Sequence, residues 1–271
     1  MDTALPLLIE AEQLAGHLGN RQLLILDASS ADNYAKHHLP GAIHIAPSSL
    51  QCGIKPAAGK LPSVEQLTEL FSKTGLTADK HVIAYDDEGG GWAGRLIWTL
   101  DVIGHRHYSY LNGGIHAWLA ANLPTESGSN SGQPVDFQVT IDTTPIAEAA
   151  DILASLGHPD NAIWDARSKE EFDGSKVLAQ RGGHIPGAIN IDWLELIDRS
   201  RQTRLIDLNG LQQRLNQLGL TKDKTIITHC QTHHRSGLSY LAMKILGYPS
   251  IKGYHGSWSE WGNREDTPIE V

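Results

Sequence analysis

The sequence predicts an α/β protein whose mostly parallel sheets are covered by helices on both faces. Three observations predict it. Short apolar runs of strand length alternate with segments of helical periodicity. The whole order of elements occurs twice along the chain. The residues able to do chemistry, Asp27, Asp86, Asp165 and Cys230, stand at the carboxyl ends of the predicted strands. Open α/β sheets place their sites there.

The first half opens with a short amphipathic helix over 10–18, then a strand over 23–28 containing Asp27. His38-Leu39-Pro40-Gly41-Ala42-Ile43 follows. Ser63 and Gln66 have capping-box spacing before a helix carrying Leu67, Leu70 and Phe71, which Gly75 ends. A strand over 81–85 runs into Asp86-Asp87-Glu88-Gly89-Gly90-Gly91, and a helix carries Leu96, Leu100 and Ile103 to Gly104. Tyr108 to Leu111 and Asn112-Gly113-Gly114 then lead to Trp118.

The second half repeats this order. A helix over 152–156 precedes the strand that ends in Asp165-Ala166-Arg167. Glu171 and Phe172 stand where Asn33 and Tyr34 stood, and His184-Ile185-Pro186-Gly187-Ala188-Ile189 repeats the His38 motif. A helix with Leu208, Leu211, Leu215 and Leu218 ends at Gly219. Thr225 to Thr228 is a buried strand; Leu238, Leu241, Ala242, Ile245 and Leu246 keep helical spacing up to Gly247. Ser257-Trp258 to Trp261 echoes the Gly114 to Trp118 stretch, and Thr267-Pro268 matches Leu123-Pro124. Each unit has roughly 120 residues, an ordinary domain size. The expected division is a first domain over 1–126, a linker over 127–144 and a second domain over 145–271. The linker is small, polar and Gly/Ser-rich, hence expected to be flexible. Val135 to Ile141 alternates like a strand laid across one domain.

Composition narrows the function classes. The 271 residues carry a net charge of −9, which argues against binding nucleic acid, where basic excess must neutralise phosphates. No run has the length of a membrane span, and the N-terminus lacks signal-peptide features. Two cysteines in different halves, Cys52 and Cys230, imply no disulfide framework and fit a cytoplasmic protein. Cys52 has no basic neighbour and reads as incidental.

Cys230 is different. It lies at a strand-to-helix turn, bracketed by His229 and by Gln231-Thr232-His233-His234-Arg235-Ser236. Loop amides and a helix N-terminus both favour negative charge at such a point, and Arg235 with His233 or His234 adds to the field. A thiol placed there ionises readily, and the thiolate is the nucleophile. The first copy differs at this place. Counting forward from Lys80 and Lys224 sets Asp86 against Cys230. Counting back from Gly104 and Gly247 sets Asp87 there, with one extra residue in the first loop. Either way an aspartate replaces the cysteine and three glycines replace His233-His234-Arg235. A loop that held an anion would now repel one, so the first domain reads as catalytically silent and structural.

On Asp165-Ala166-Arg167, the His-Ile-Pro-Gly-Ala-Ile motif with its copy at His38, and Cys230 in a loop closing at Arg235, the chain resembles the rhodanese family. Among its members it is similar to tandem-domain thiosulfate sulfurtransferases of bacteria. The resemblance covers nearly the whole chain and implies two tandem rhodanese-like domains, the first inactive. It further implies double displacement. The Cys230 thiolate takes the sulfane sulfur of a donor such as thiosulfate and becomes a persulfide. A thiophilic acceptor such as cyanide then removes that sulfur, with no cofactor and no metal. The partners implied are a small-molecule donor and acceptor, with a sulfur-accepting protein as a further candidate. Gln231, Thr232, His233, His234, Arg235 and Ser236 are the candidate anion-binding loop. Arg235 either meets the donor or holds the loop against Asp165, and Asp165, Arg167 and Arg181 support it. Two departures stand out. The loop Gln-Thr-His-His-Arg matches neither the small neutral loop of mercaptopyruvate enzymes nor the Arg-Lys-Gly of vertebrate-type thiosulfate enzymes. Glu171 stands where relatives carry a substrate-gripping arginine. Thiosulfate is therefore favoured over mercaptopyruvate, and the His233-His234 pair is where donor or acceptor choice is expected to be set.

Three alternatives use the residues around Cys230. A cysteine phosphatase on the same fold needs five residues between Cys and Arg, a wider cradle than the four found here. A carrier that loads one sulfur without turnover is separated by kinetics. A metal site from Cys230, His229, His233, His234 and His184 lacks a second cysteine and relies on adjacent histidines, which are poor ligand pairs. The first-domain acidic cluster reads as a solvated turn rather than a cation site.

Overall fold

Residues 5–271 are described by a computed structural model of the chain. The first sheet is built from β1 (Leu8–Ile9), β2 (Leu23–Asp27), β3 (Ile43–His44), β4 (His81–Tyr85) and β5 (Tyr108–Leu111), in the order β1-β5-β4-β2-β3. Its helices are α1 (Ala11–Ala15), α2 (Ala31–Lys36), α3 (Val64–Thr74), α4 (Gly91–Val102) and α5 (Gly114–Ala120). The second sheet repeats the pattern. Its strands are β6 (Ile146–Ala147), β7 (Asn161–Asp165), β8 (Ile189–Asn190), β11 (Thr225–His229) and β12 (Ile251–Tyr254), ordered β6-β12-β11-β7-β8. Its helices are α6 (Ala149–Ser155), α7 (Lys169–Phe172), α8 (Leu208–Gln217), α9 (Arg235–Ile245) and α10 (Ser257–Trp261). Between β8 and α8, β9 (Ile197–Asp198) and β10 (Arg204–Leu205) form a separate two-stranded ladder. Every pairing within the two large sheets is parallel.

Both faces of each sheet are covered, as the strand composition demands. In the first unit Ile25 and Ile83 join a core with Leu14 of α1, Tyr34 of α2 and Trp118 of α5. The alternate residues Leu24, Leu26, Val82 and Ala84 are also buried and point to the other face. In the second, Ile163 and Ile227 pack with Ile152, Trp258 and Trp261 on one face, and α9 packs against β11 and β12. Strands buried on both sides read as continuous apolar runs, which is why they were legible.

The chain divides into two compact units that are not contiguous in sequence. Among the described residues, one comprises 5–50, Pro62–Asp142 and Asp198–Leu205; the other comprises Gln51–Leu61, Thr143–Ile197 and Ile206–Val271. Cys52, from the first half of the chain, thus belongs to the same unit as Cys230.

Two expectations are corrected. The Gly/Ser-rich stretch is not a free tether, because it is bound along the first unit. Gly128 N–H donates to Ala35 O at 2.8 Å, and the Asn130 amide nitrogen reaches Glu126 at 2.9 Å. A Cβ on Gly132 would stand 2.4 Å from Lys73 O, so its smallness serves close approach rather than flexibility. Val135 to Ile141 does lie across a domain but joins no sheet. Val135 N–H donates to Ser72 O and Phe137 N–H to Ser72 Oγ, so α3 takes its hydrogen bonds. Among the described residues no helix is long and apolar enough to cross a membrane.

Candidate active site

The register of β7 and β11 sets Asp165 directly beside His229, and Cys230 follows His229 into the turn. All three are buried. Asp165 is held by Arg167, whose Nη2 lies 2.6 Å and Nε 3.0 Å from its Oδ2. Arg167 also donates to Gly183 O at 2.8 Å and lies 4.3 Å over the Trp258 ring. Burial works against ionisation of Asp165, yet the neighbouring His229 and Arg167 hold its carboxyl below the usual range. His229 Nε2 is 3.5 Å from Asp165 Oδ2. Burial nevertheless pulls the imidazole down to about 4, so at neutral pH it is uncharged.

The turn after Cys230 directs three successive carbonyls away from its interior. Cys230 O accepts Trp258 N–H at 2.9 Å, and Gln231 O accepts Ser259 N–H at 3.0 Å. Thr232 O accepts the Gln51 side-chain amide at 3.1 Å. In a trans peptide the C=O of one residue and the N–H of the next point in opposite directions. The amides of Gln231, Thr232 and His233 are therefore turned to the inner side. His233 makes this possible with a left-handed φ of 56°. Its buried ring lies 2.7 Å from Ser236 Oγ through Nδ1. The half-buried His234 ring sits 5.7 Å from that of Trp193, and Gln231 donates to Leu178 O at 3.1 Å.

Arg235 opens α9. Its two terminal nitrogens reach the two oxygens of Glu171, at 2.7 and 2.8 Å. Burial opposes the charge, but Glu171, together with the nearby Cys230 and Asp165, raises the guanidinium pKa above its ordinary value. The expected contact of Arg235 with Asp165 is corrected: Asp165 is taken by Arg167, and Arg235 clamps α7 through Glu171 instead. Glu171 thus has a structural partner in Arg235.

The first unit shows what such a turn does with an anion. Asp86 follows β4 as Cys230 follows β11, and five residues separate strand from helix in both copies. Asp86 is therefore the counterpart of Cys230, and the expected extra loop residue is absent. The extra residue lies within α4, which has 12 residues against 11 in α9. The Asp86 carboxylate does not empty the cradle by repulsion. It fills it: Oδ1 accepts N–H from Glu88, Gly89 and Gly90 at 3.1, 3.1 and 2.9 Å, and Oδ2 accepts Ala93 N–H at 2.9 Å. Burial and the Glu88 charge still push its pKa up to about 6. Asp87 points elsewhere, accepting from Ser30 Oγ at 2.8 Å and from Asn33.

The structure thus gathers Cys230, Gln231, Thr232, His233, His234, Arg235, Ser236, Asp165 and Arg167 at one strand end. Full burial of His233 leaves His234 as the member of that pair with exposed surface. Arg181 lies apart, donating to Thr267 O and Trp261 O at 2.9 and 3.0 Å and fixing the C-terminal segment. Three residues outside the sequence expectations also touch the loop: Gln51, Ser257, and Gly59, where a Cβ would stand 2.3 Å from Thr232 O. Ser257 Oγ accepts the Cys230 N–H at 3.3 Å. No local signal marks Gln51 or Gly59, which lie far from the loop in sequence. Among the described residues no group of three or more His, Cys, Asp or Glu side chains is placed to hold a metal ion.

Comparison with known proteins identifies the family. The rhodanese-like domain model matches residues 10–121 and 148–264. A thiosulfate sulfurtransferase of Azotobacter vinelandii is 51% identical over 99% of this chain and 98% of its own. One of Pseudomonas aeruginosa is 49% identical over 98% of both chains. The structure of SseA from Escherichia coli, described as a 3-mercaptopyruvate sulfotransferase, superposes with a TM-score of 0.83 at 27% identity, covering 94% of this chain and 99% of that one. With its duplicated strand-end loops and a cysteine in the second, the chain belongs to the rhodanese family.

Proposed function

We propose that this chain is a thiosulfate sulfurtransferase that carries sulfane sulfur on Cys230 and passes it to a thiophilic acceptor such as cyanide. The observation that carries the reading is the placement of Cys230. A nucleophile stands in the loop whose twin, in the first unit, wraps four backbone amides around a carboxylate. Two relatives of that name, about half identical over nearly the full length, support the donor.

In the first half-reaction the Cys230 thiolate attacks the outer sulfur of thiosulfate. The S–S bond of the donor breaks, sulfite leaves with the bonding pair, and Cys230 holds a persulfide. In the second, cyanide attacks the terminal sulfur, thiocyanate leaves, and the thiolate returns. Inward amides and the α9 N-terminus stabilise thiolate and persulfide alike, so neither step needs a proton relay through the neutral His229. The chemistry uses no cofactor beyond the cysteine itself. Arg235 acts through Glu171 as the clamp of the loop, and Arg167 through Asp165 as the support of the strand end. The first domain, 1–126, is silent, and 127–144 joins it to the catalytic domain, 145–271. Two free cysteines suit a cytoplasmic location. A relative of Thermus thermophilus, 29% identical, is named a sulfur carrier protein, and a protein thiol is a second class of acceptor.

Steady-state rates with thiosulfate and cyanide test this. Parallel double-reciprocal lines are expected, with a fall of more than about a thousandfold in Cys230→Ala. Loading of a single sulfur without turnover would replace the enzyme reading by a carrier.

A further inference from the structure

The hairpin Gln51–Leu61 comes from the first half of the chain, yet it belongs to the unit that holds Cys230. Cys52 N–H to Lys60 O at 2.7 Å and Gly53 N–H to Ala58 O at 3.0 Å close it. Its base is anchored: Lys60 Nζ lies 3.1 Å from Glu148 and 2.9 Å from Glu260, and Leu61 N–H donates to His255 Nδ1 at 3.1 Å. From that base it presses on the cysteine loop. Gln51 Nε2 donates to Thr232 O at 3.1 Å. Gly59 comes so near that a Cβ would stand 2.3 Å from Thr232 O and 2.6 Å from its carbonyl carbon, so only glycine fits.

We propose that Gln51 and Gly59 are positioning residues for sulfur transfer, holding the Thr232–His233 peptide with its N–H toward the Cys230 sulfur; this rests on Cys230 being the sulfur carrier. The carbonyls of Cys230 and Gln231 are held outward by α10. The hairpin holds the third. The matching amide in the first unit is that of Gly89, and it points at the strand-end side chain, 3.1 Å from Asp86 Oδ1. His233 occupies the left-handed region, where a side chain is disfavoured. Rotation of the Thr232–His233 peptide would carry φ of His233 to negative values and relieve that strain. The same rotation would turn the Thr232 carbonyl toward the sulfur, where it repels thiolate and persulfide. The Gln51 hydrogen bond opposes the rotation, and Gly59 leaves the carbonyl the space it occupies.

The experiment compares wild type, Gln51→Ala and Gln51→Glu in the full chain. Two quantities are read: the rate of sulfur loading from thiosulfate, and the pH profile of Cys230 alkylation by iodoacetamide. Gln51→Ala is expected to slow loading about ten- to a hundredfold and to move the alkylation profile to higher pH. Gln51→Glu keeps the size but sets an acceptor against the carbonyl, so its loss is expected to be larger. Gly59→Ala asks the same from the packing side; should it fail to fold, the Gln51 variants decide. A wild type that loads, beside Gln51 variants with the same rate and an unmoved profile, would overturn the positioning role. A wild type that takes up no sulfur would instead overturn the carrier reading beneath it.

Discussion

Arg167 and Arg235 both lie within the same strand-end cluster, and each is committed to a carboxylate. Asp165 is fully buried, so its charge is tolerable only while Arg167 faces it. Arg167→Ala is therefore expected to cost about 3–5 kcal/mol, read as a fall in the urea midpoint; a loss below about 1 kcal/mol would contradict a buried pair. Glu171→Ala leaves Arg235 without its two hydrogen bonds, but that guanidinium keeps 18% exposure, and solvent screening lowers the expected loss to about 2 kcal/mol. The first pair was half legible, because Asp165 and Arg167 stand two residues apart in a recognisable motif. The second was not. Glu171 and Arg235 are 64 residues apart, and only the fold brings α7 against the start of α9. The sequence showed an acid in place of an expected arginine, but not what that acid would bind.

At the scale of elements, the strand-to-helix turn is one device used twice. In the second unit it presents its amides to a cysteine; in the first it is closed on its own aspartate. Burial raises Asp86 to about 6, above the 3.8 of an ordinary aspartate. A raised folded-state pKa means that the native state binds the proton more tightly than the unfolded chain. Its contribution is fully present below about 3.8 and is lost as pH rises through about 6. Asp86→Asn cannot ionise. The stability of wild type relative to this variant should therefore fall between pH 4 and 6 and stay level above, as urea midpoints would show; a difference that grows over this window would contradict the buried carboxylate. The pattern of the elements was readable where one force dominated. Ser63 and Gln66 do form a capping box, with Ser63 Oγ 3.2 Å from Gln66 N. By contrast β12 was not read, since Lys252 and Gly253 interrupt any apolar run and only pairing with β11 and β6 makes it a strand. Counting residues misplaced the single insertion because helices absorb one residue without a signal in composition.

Across the whole molecule the duplication is kept in detail. Trp118 Nε1 donates to Pro124 O at 2.8 Å, and Trp261 Nε1 to Pro268 O at the same distance. His38 pairs with Glu126 as His184 pairs with Glu270. The repeat was visible in the sequence because both copies keep the same motifs in the same order. What it hid is that the compact units exchange segments, since a hairpin's contacts are not written in its own residues. Asymmetry of function sits on this symmetric frame, and it reduces to which side chain fills each loop. Asp86→Ala is accordingly expected to lower stability while keeping kcat/KM within about twofold, because turnover depends on the other loop. The most direct test of the account is peptide-mapped mass spectrometry of the full chain after thiosulfate. One added sulfur is predicted on Cys230, removed by cyanide and absent in Cys230→Ala. An unmodified Cys230, or sulfur carried on Cys52 instead, would contradict it.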